Sequence, residues 1–346
     1  MNEYVEGDAT NMNNIVRNGM GRARALAARA LVLAAALFGT MPAGAAEEYP
    51  SRNLELIVPY APGGLLDVAG RLAATYLAKE LGQPVVVRNV PGAGSTIGMV
   101  RLAKSKPDGY TLALGSFGIL LNSRLRPDVE YDPLRSFTPI GYLGDQGFVL
   151  MVAPQHVDVA NVRELVERIK AKPGAFTYAS GGVGAPSHVL AEQFRLQQGL
   201  NMVHAPYQGQ NPAIMALLAG DVQLTLQTVA GAEDLIHSGR IRALASTGSE
   251  RPAAFPSVPT FKELGIEGMA NDGWLAVFAP SGVTAPVKEK LRAAWARVAR
   301  NDEFRQALAK RAIQTRDVSP TQFEAMMAED LKYWTEILDK TRITLN

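Results

Sequence analysis

The chain has 346 residues, 47% hydrophobic and 20% charged, which is the composition of a globular protein large enough for two domains. Its formal net charge of +2 and the lack of any block of like charge argue against binding to nucleic acid or to a membrane surface. The sequence contains no cysteine, which excludes disulfides, thiolate catalysis and cysteine-based zinc or iron–sulfur sites.

Residues 1–45 have the pattern of a cleavable secretory signal peptide. Arginines precede an apolar run at residues 30–38, and residues 43–45 form a small-x-small cleavage sequence. The apolar run is too short to span a bilayer, which takes about 20 residues. We therefore predict export, with a mature chain that begins at Ala46 or Glu47.

The first predicted element of the mature chain is a buried strand at residues 54–58, which a glycine-containing loop joins to a helix. Pro59 ends the strand, and Gly63 and Gly64 would let a ligand approach the backbone. The first amides of the helix lack intrahelical partners, so its N-terminus suits a carboxylate or phosphate. Asp67, in the first helical turn, is interpreted as a cap or dipole partner before a ligand contact.

Further strand-like runs alternate with helical periods, which is typical of an α/β fold with parallel sheets. Residues 85–87 and 110–114 are predicted strands, each followed by a loop. In open α/β sheets ligands bind beyond the carboxyl ends of the strands, so these loops and the first one should converge on one crevice. A strand at 148–152 and an amphipathic helix at 162–171 follow, and the first crossing between domains is placed there.

The second half of the chain repeats this design. A strand at residues 176–179 leads into the segment SGGVGAPSH at 180–188, a glycine-rich turn before a helix. The remaining predicted strands are 203–206, 222–226, 241–246 and 274–278, and the remaining predicted helices are 213–219, 232–237, 287–300 and 320–338. A second α/β domain is therefore expected.

No catalytic, metal or cofactor motif emerges from the sequence. Residues 92–98 have the wrong spacing for a dinucleotide-binding loop, and Ser180 lacks the first glycine of a nucleophile elbow. Ser187 and His188 are adjacent on a predicted helix, where side chains diverge by about 100° and cannot readily act as nucleophile and base. Convergent loops without a nucleophile or metal cluster indicate a binding pocket rather than an active site.

A long series of motifs occurs in order along the mature chain: YPSR, IVPYAPGG with Asp67 and Arg71, VRNVPGAG, PDGYTLALGS, YDPLRSFTPIG, YASGGVG with His188, APYQG, IRALASTGSERP, PSVPTFKELG and the Trp274 strand. With these motifs the chain resembles the Bug receptors, the periplasmic solute-binding proteins of tripartite tricarboxylate transporters. The resemblance implies a two-domain, type II-like periplasmic binding protein fold of the α/β class, with two crossing strands at the hinge. Domain 1 would comprise residues 46–147 and 272–346, and domain 2 residues 148–271.

The resemblance also implies the position of the ligand. Its carboxylates would be held by backbone groups and ordered water at the loop after the first strand and at a facing loop in domain 2, with further side chains setting specificity. The implied ligand-binding residues are Tyr60, Ala61, Gly63, Gly64, Leu65, Leu66 and Asp67 in the first loop, Ser180, Gly181, Gly184, Ser187 and His188 in the facing loop, and Ser116, Tyr207, Gln208, Gln227 and Asp272 around them. His204 is interpreted as structural, and Tyr207 as the better contact candidate because its phenol offers a donor and a flat apolar wall.

Several positions differ from the common pattern of the family. Leu65 and Leu66 replace small or hydroxylated residues, Gln208 and Gln210 replace lysine and glycine, and Gln227 stands where aspartate is frequent. These differences would make the mouth of the pocket more apolar and less charged. The expected ligand is therefore a monocarboxylate or an aromatic carboxylate rather than citrate.

The function implied by the resemblance is that of a monomeric receptor, without a cofactor or bound metal, that delivers a small organic carboxylate to the permease subunits of a tripartite transporter. On the residues alone, two alternative functions stay open. One is an exported enzyme acting on a small carboxylate, which should bring a nucleophile, metal cluster or acid–base pair into the cleft. The other is a sensor component that presents its bound ligand to a signalling partner.

Overall fold

The computed structural model describes residues 48–229, 232–248, 250–252, 254–269 and 272–341. The strands in this part of the chain are β1 (Leu54–Val58), β2 (Val85–Asn89), β3 (Thr111–Ser116), β4 (Phe137–Gln146), β5 (Phe148–Val152), β6 (Phe176–Ser180), β7 (Met202–Pro206), β8 (Leu224–Thr228), β9 (Arg242–Ser246), β10 (Gly273–Pro280) and β11 (Ile313–Gln314). The helices are α1 (Leu65–Leu81), α2 (Thr96–Ala103), α3 (Gly118–Leu125), α4 (Val162–Ala171), α5 (Pro186–Gln197), α6 (Gln210–Ala219), α7 (Glu233–His237), α8 (Ala285–Arg300), α9 (Asp302–Ala309) and α10 (Pro320–Thr341). Within the described ranges, no helix is long and apolar enough to cross a membrane. The predicted signal peptide, residues 1–45, lies outside them.

The first sheet, called sheet 1, has the strand order β11-β4-β10-β3-β1-β2. Strand β1 pairs in parallel with β2 and β3, whereas β10 runs antiparallel to both β3 and β4. Four of the five residues of β1 are buried, all except Glu55, which fits this position because a parallel strand between two neighbours is covered on both faces. Strand β10 therefore lies inside sheet 1 although it follows the whole second sheet in sequence.

The second sheet, called sheet 2, has the order β7-β6-β8-β5-β9. Strand β6 pairs in parallel with β7 and β8, and β5 runs antiparallel to β8 and β9. All five strands come from the segment between β4 and β10, so the chain crosses from sheet 1 to sheet 2 after Gln146 and returns before Gly273. The domain boundaries at 147/148 and 271/272 stay a prediction, and packing joins the residues from Pro50 onward into one compact unit.

A continuous apolar core connects the two sheets. The ring of Phe117, which follows β3, meets Phe148 of β5 edge-on with centroids 5.9 Å apart and stacks on Trp334 of α10 at 5.6 Å. Trp274 of β10 donates from Nε1 to Asp330 Oδ2 at 2.8 Å, which ties the C-terminal helix to the middle of sheet 1. The region where the chain crosses between the sheets is therefore well packed.

Most predicted elements are confirmed, with bounds that differ by a few residues. The elements that the sequence did not predict are β4, β11, α3 and α9. Strand β4 contains Pro139, Gly141 and Gly144, which weaken any local strand pattern, and its pairing with β10 stabilises it instead. The first five residues of helix α3 are all buried. This segment therefore lacks the polar face by which an amphipathic helix is recognised in a sequence.

Candidate functional site

The candidate site lies where the loops after β1, β2 and β3 meet the loops after β6, β7 and β8. The two sets of loops are in contact, since a Cβ placed on Gly94 would lie 3.2 Å from the carbonyl carbon of Gly184. Asn211, at the start of α6, reaches across to the Gly63 carbonyl with its Nδ2 at 3.4 Å. These contacts bring the two sets of loops together between sheet 1 and sheet 2, at the carboxyl ends of the parallel strands, and the space beside them is called the cleft.

Asp67 organises the loop between β1 and α1. Its buried carboxylate accepts hydrogen bonds from Gly63 N at 3.0 Å, Arg71 Nε at 3.0 Å and Asn89 Nδ2 at 2.8 Å. Burial alone would raise the pKa of Asp67, but these hydrogen bonds and the charge of Arg71 lower it overall. Asp67 thus binds the loop to the helix, which is the kind of role that the sequence favoured, and the Gly63 amide is already engaged.

The two leucines of this loop differ in exposure. Leu65 is buried, whereas Leu66 is partly buried. The first intrahelical bond of α1 joins Val68 N to Gly64 O at 3.1 Å. The amides that precede it, those of Leu65, Leu66 and Asp67, have no intrahelical acceptor and lie at the positive end of the helix dipole.

A pair of hydroxyl groups lies at the ends of β1 and β3. Tyr60 Oη and Ser116 Oγ are 2.8 Å apart, and the Gly118 amide donates to Ser116 Oγ at 3.3 Å. Burial raises the pKa of Tyr60, although the hydroxyls of Ser116 and Ser95 partly oppose this, so the phenol is neutral at pH 7. Ala61, the next residue, is partly exposed beside this pair. One proton of the pair remains for donation to a ligand.

The facing loop, residues 180–188, is held by its own side chains. The Gly181 amide donates to Ser187 Oγ at 3.0 Å, and the Gly184 amide donates to His188 Nδ1 at 3.2 Å. The sequence predicted that backbone groups here hold the ligand, but these two amides already have acceptors. Because Ser187 Oγ accepts from Gly181, its own hydroxyl proton can point to another acceptor.

Gln227 of β8 supplies the clearest free donor of the cleft. Its side chain is buried, and its Nε2 has no hydrogen-bond partner among the described residues. A Cβ placed on Gly181 would lie 3.5 Å from Ser187 Oγ, 3.6 Å from the carbonyl carbon of Gly209 and 3.7 Å from Gln227 Nε2. Two loops of sheet 2 and the end of β8 therefore converge on one point, where an unpaired buried amide donor costs about 1–3 kcal/mol until an acceptor arrives.

The other predicted contacts are distributed more widely. Tyr207 is partly exposed after β7, and its neighbour Gln208 is exposed. Gln210 Nε2 donates to Thr228 O at 2.7 Å, so this side chain is directed toward the end of β8. Asp272 lies at the return crossing to sheet 1 and lines a cleft of about 660 Å³ there. Neither Gln208 nor Asp272 is among the nearest neighbours of the Gly181 position.

The structure contains a serine–histidine contact that the sequence did not indicate. Ser180 Oγ lies 2.7 Å from His204 Nε2, and the imidazole of His204 stacks between the rings of Tyr178 and His188, at 4.9 Å and 4.0 Å. Burial and then the charge of His188 lower the pKa of His204 to about 4, which makes it a weak base at neutral pH. Ser180 is fully buried and also bonds within its own loop, so the contact is structural. Within the described ranges no His, Asp and Glu side chains form a group suited to a metal ion.

Sequence reasoning missed two further residues of the cleft. Asn89 ends β2, and its Nδ2 bonds both Asp67 Oδ1 at 2.8 Å and Tyr60 O at 3.1 Å, which joins two loops of sheet 1. Ser95 precedes α2, and its buried Oγ has no hydrogen-bond partner among the described residues. Two features of the sequence could have indicated these residues: Asn89 is a polar residue at the end of a strand, and Ser95 is a serine between a glycine-rich loop and a helix.

Comparisons with known proteins agree with this geometry. Residues 69–343 match the family model of the tripartite tricarboxylate transporter family receptor. Protein BugT of Bordetella pertussis is 33% identical over 324 residues, which cover 93% of this chain and 98% of BugT. The solved structure of the periplasmic binding protein BugD has a TM-score of 0.80 and 30% identity, over 86% of this chain and 99% of that one. MatC from Rhodopseudomonas palustris, solved with bound malate, has a TM-score of 0.79 and 28% identity, over 84% of this chain and 100% of MatC. The fold is therefore the two-domain α/β fold of periplasmic binding proteins.

Proposed function

Because the chain belongs to the tripartite tricarboxylate transporter receptor family, we propose that it is a periplasmic receptor that binds a small organic carboxylate between sheet 1 and sheet 2 and delivers it to the permease subunits of a tripartite transporter. The observation that carries the proposal is the convergence at Gly181 of the unpaired Gln227 amide and the Ser187 hydroxyl. Tyr60 and Ser116 supply a further donor from the other side of the cleft. All of these groups are neutral donors suited to a carboxylate.

The available donors are sufficient for useful affinity. A hydrogen bond to a charged group contributes roughly 1.5–3 kcal/mol. About four such bonds, from Gln227 Nε2, Ser187 Oγ, the Tyr60–Ser116 pair and the first turn of α1, would total roughly 6–12 kcal/mol before desolvation and closure are subtracted, which is comparable to the roughly 8 kcal/mol of a micromolar complex. A dedicated arginine is therefore not required for binding.

Closure of the two domains completes the proposal. Domain 1, residues 46–147 with 272–346, and domain 2, residues 148–271, would rotate about the two crossings to enclose the ligand. The loop at Tyr60–Asp67 and the loop at Ser180–His188 would form the two sides of this clamp, with Tyr207 beside the second loop, where its amide donates to Ser180 O at 3.0 Å. Residues 1–45 would direct export and be removed, leaving a monomeric receptor.

Calorimetric titration of the purified mature chain tests the function. We expect at least one small carboxylate to bind with micromolar or tighter affinity and to be recovered unchanged. Mass spectrometry of protein purified without refolding would then identify the natural ligand. Turnover of the bound acid would contradict the receptor function and favour the alternative of an exported enzyme.

The ligand class is proposed to be a monocarboxylate or an aromatic carboxylate. The partly buried Leu66 and the uncharged Gln227 support this, because they leave an apolar, neutral surface at two sides of the cleft. Nicotinate and benzoate should therefore bind more tightly than citrate in the same titration. Tight citrate binding without a response to either monocarboxylate would contradict this choice of ligand.

Replacing Leu66 with threonine tests whether the first loop sets this preference. The change shortens the side chain, moves its branch to Cβ and adds a hydroxyl, so L66T should shift relative affinity from benzoate toward malate by about tenfold, roughly 1.4 kcal/mol. The variant L65T is not a suitable control, because Leu65 is buried and its change would affect folding. V68T, on the next partly buried position of α1, serves instead. Equal affinity ratios in wild type, L66T and V68T would show that this loop does not set specificity.

A further inference from the structure

We propose that Ser95 marks a second, uncharged polar subsite of the cleft, which binds a hydroxyl or carbonyl group of the ligand apart from its carboxylate. The inference rests on the proposed function, since it needs a carboxylate in the cleft. It concerns a residue that neither the sequence motifs nor the donors around Gly181 assign to binding.

The backbone of Ser95 is the first observation. Ser95 is the residue before α2 and has φ +86° and ψ −9°, a left-handed conformation that is unfavourable for any residue except glycine. A capping serine normally has extended backbone and accepts a hydrogen bond from the second or third helical amide. Ser95 makes no such bond. Helix capping therefore does not explain a serine here, and glycine would fit the backbone better.

The hydroxyl of Ser95 is the second observation. The residue is 2% exposed, and its Oγ has no hydrogen-bond partner of normal geometry among the described residues. It nevertheless lies near the Tyr60 phenol, which in turn lies 2.8 Å from Ser116 Oγ. Burying a hydroxyl without a partner is unfavourable, so the group is satisfied once a polar atom is brought to it.

The position of Ser95 brings it to the boundary between the two sheets. Gly94, its neighbour, contacts Gly184 of the facing loop and also accepts a hydrogen bond from Asn122 Nδ2 at 2.9 Å. On the other side of Ser116, a Cβ placed on Gly118 would lie 3.3 Å from Pro186 Cγ. The three hydroxyls of Tyr60, Ser95 and Ser116, called the hydroxyl cluster, therefore lie in the part of sheet 1 that faces the loop at residues 180–188.

The chemistry of the hydroxyl cluster selects a neutral polar group. Each hydroxyl can both donate and accept, which matches a ligand hydroxyl or carbonyl, whereas a second carboxylate would favour a cation. Arg126, which bonds the Asn122 side chain next to Gly94, is otherwise engaged. Arg126 donates from Nε to Asn122 Oδ1 at 3.2 Å and from Nη2 to Val183 O at 3.3 Å. The subsite therefore fits hydroxy or oxo acids.

Two substitutions separate the hydroxyl from the backbone strain. S95A removes the hydroxyl but keeps the Cβ in its left-handed conformation, whereas S95G removes both. The probes are three acid pairs that differ by one hydroxyl: benzoate and 4-hydroxybenzoate, butyrate and 4-hydroxybutyrate, and succinate and malate. The wild type should prefer the hydroxylated member of at least one pair by about tenfold. Both variants should lose most of that preference, measured as the ratio of the two affinities within a pair. S95G alone should also raise the melting temperature.

A matched control and clear contrary results complete the test. Ser105 follows the other end of α2 and donates from Oγ to Arg101 O at 2.8 Å, so S105A should leave every affinity ratio unchanged. Unchanged ratios in S95A and S95G would overturn the subsite while leaving the receptor function intact, because carboxylates would still bind. If the wild type bound no acid of the panel, and no carboxylate in the broader titration, the receptor function would fail together with the subsite.

Discussion

Asp67 is the residue on which the conformation of the first loop depends. Asparagine at this position keeps the size of the side chain but loses the charge and one acceptor for Gly63 N and Arg71. D67N should lower the free energy of unfolding by about 1–3 kcal/mol, in the range for a buried group left without its partner. Urea denaturation at pH 7, followed by tryptophan fluorescence, measures this change. D67N should also weaken carboxylate binding, because the loop between β1 and α1 is no longer held by the Asp67 carboxylate.

Asp108 provides the control for Asp67. Its Oδ2 accepts from Arg52 Nη2 at 3.1 Å, and both side chains are well exposed. An exposed ion pair contributes little, so D108N should change the free energy of unfolding by less than about 1 kcal/mol. If D67N and D108N behaved alike, the role given to Asp67 would be wrong.

The stack formed by His188 and His204 should make the protein sensitive to acid. The folded pKa of His204, about 4, lies below the ordinary value of 6.5, so between these pH values the unfolded chain binds more protons than the folded one. Stability is then fully present above pH 6.5 and is lost as the pH falls toward 4. The loss should be about 2 kcal/mol, allowing for partial solvent screening. Urea midpoints at pH 7, 6 and 5 measure it.

The variant H204N identifies the histidine responsible. Asparagine does not titrate in this range, so the slope between pH 7 and pH 5 should become smaller than in the wild type. Burial also lowers the pKa of His188, and a residual slope in H204N is expected from that residue. An unchanged slope in H204N would exclude His204 as the source.

At the residue scale, the sequence predicted which loops meet better than which hydrogen bonds their side chains make. The glycines and hydroxyls of both loops were identifiable from local turn chemistry. The engagement of the Gly63 amide by Asp67, and of the Gly181 amide by Ser187, depends on side-chain rotamers that no spacing rule specifies. The contact of Ser180 with His204 depends on the pairing of β6 with β7, which brings together residues far apart in sequence.

Among the elements, the contact of β4 with α8 is the tightest. A Cβ placed on Gly141 would lie 1.8 Å from Trp295 Cδ1, and Trp295 Nε1 donates to Tyr142 O at 3.0 Å. G141A must therefore displace α8 and should lower the free energy of unfolding by about 3 kcal/mol, the upper part of the range for overpacking. Thermal and urea denaturation measure the change.

Two further variants define the origin of this effect. G147A should be nearly neutral, because the nearest atoms to a Cβ at that position lie 3.9 Å away. Combining G141A with W295L should restore part of the stability, since the smaller side chain leaves room for the methyl group. If the loss of unfolding free energy in the double variant equalled the sum of the losses in the two single variants, the clash with Trp295 would not be the cause.

The sequence indicated the elements well wherever the hydrophobic period was complete, as in α4, whose predicted and observed bounds coincide at Val162–Ala171. It could not indicate the order of the strands in sheet 1. The position of β10 between β3 and β4 follows from long-range packing around Trp274 and Phe278. Local patterns contain no information on such a return of the chain.

For the molecule as a whole, contacts between the two sets of loops should slow the release of ligand. Arg126, at the end of α3, donates to the Val183 carbonyl of the facing loop at 3.3 Å. R126A removes this bond, worth about 1 kcal/mol, so the dissociation rate of a bound carboxylate should rise about fivefold. Stopped-flow tryptophan fluorescence measures the rate. R124A is the control on the same helix, because Arg124 is half exposed and pairs with Asp339 instead. Equal rates in both variants would contradict a closing role for Arg126.

The place of β10 inside sheet 1 also determines the order in which a nascent chain can fold. Sheet 2 is contiguous in sequence and can form as soon as residues 148–246 have been delivered. Strands β3 and β4, by contrast, present open edges until β10 arrives more than a hundred residues later. During that interval the N-terminal segment is the aggregation-prone part of the molecule, so a holding chaperone would act on it first.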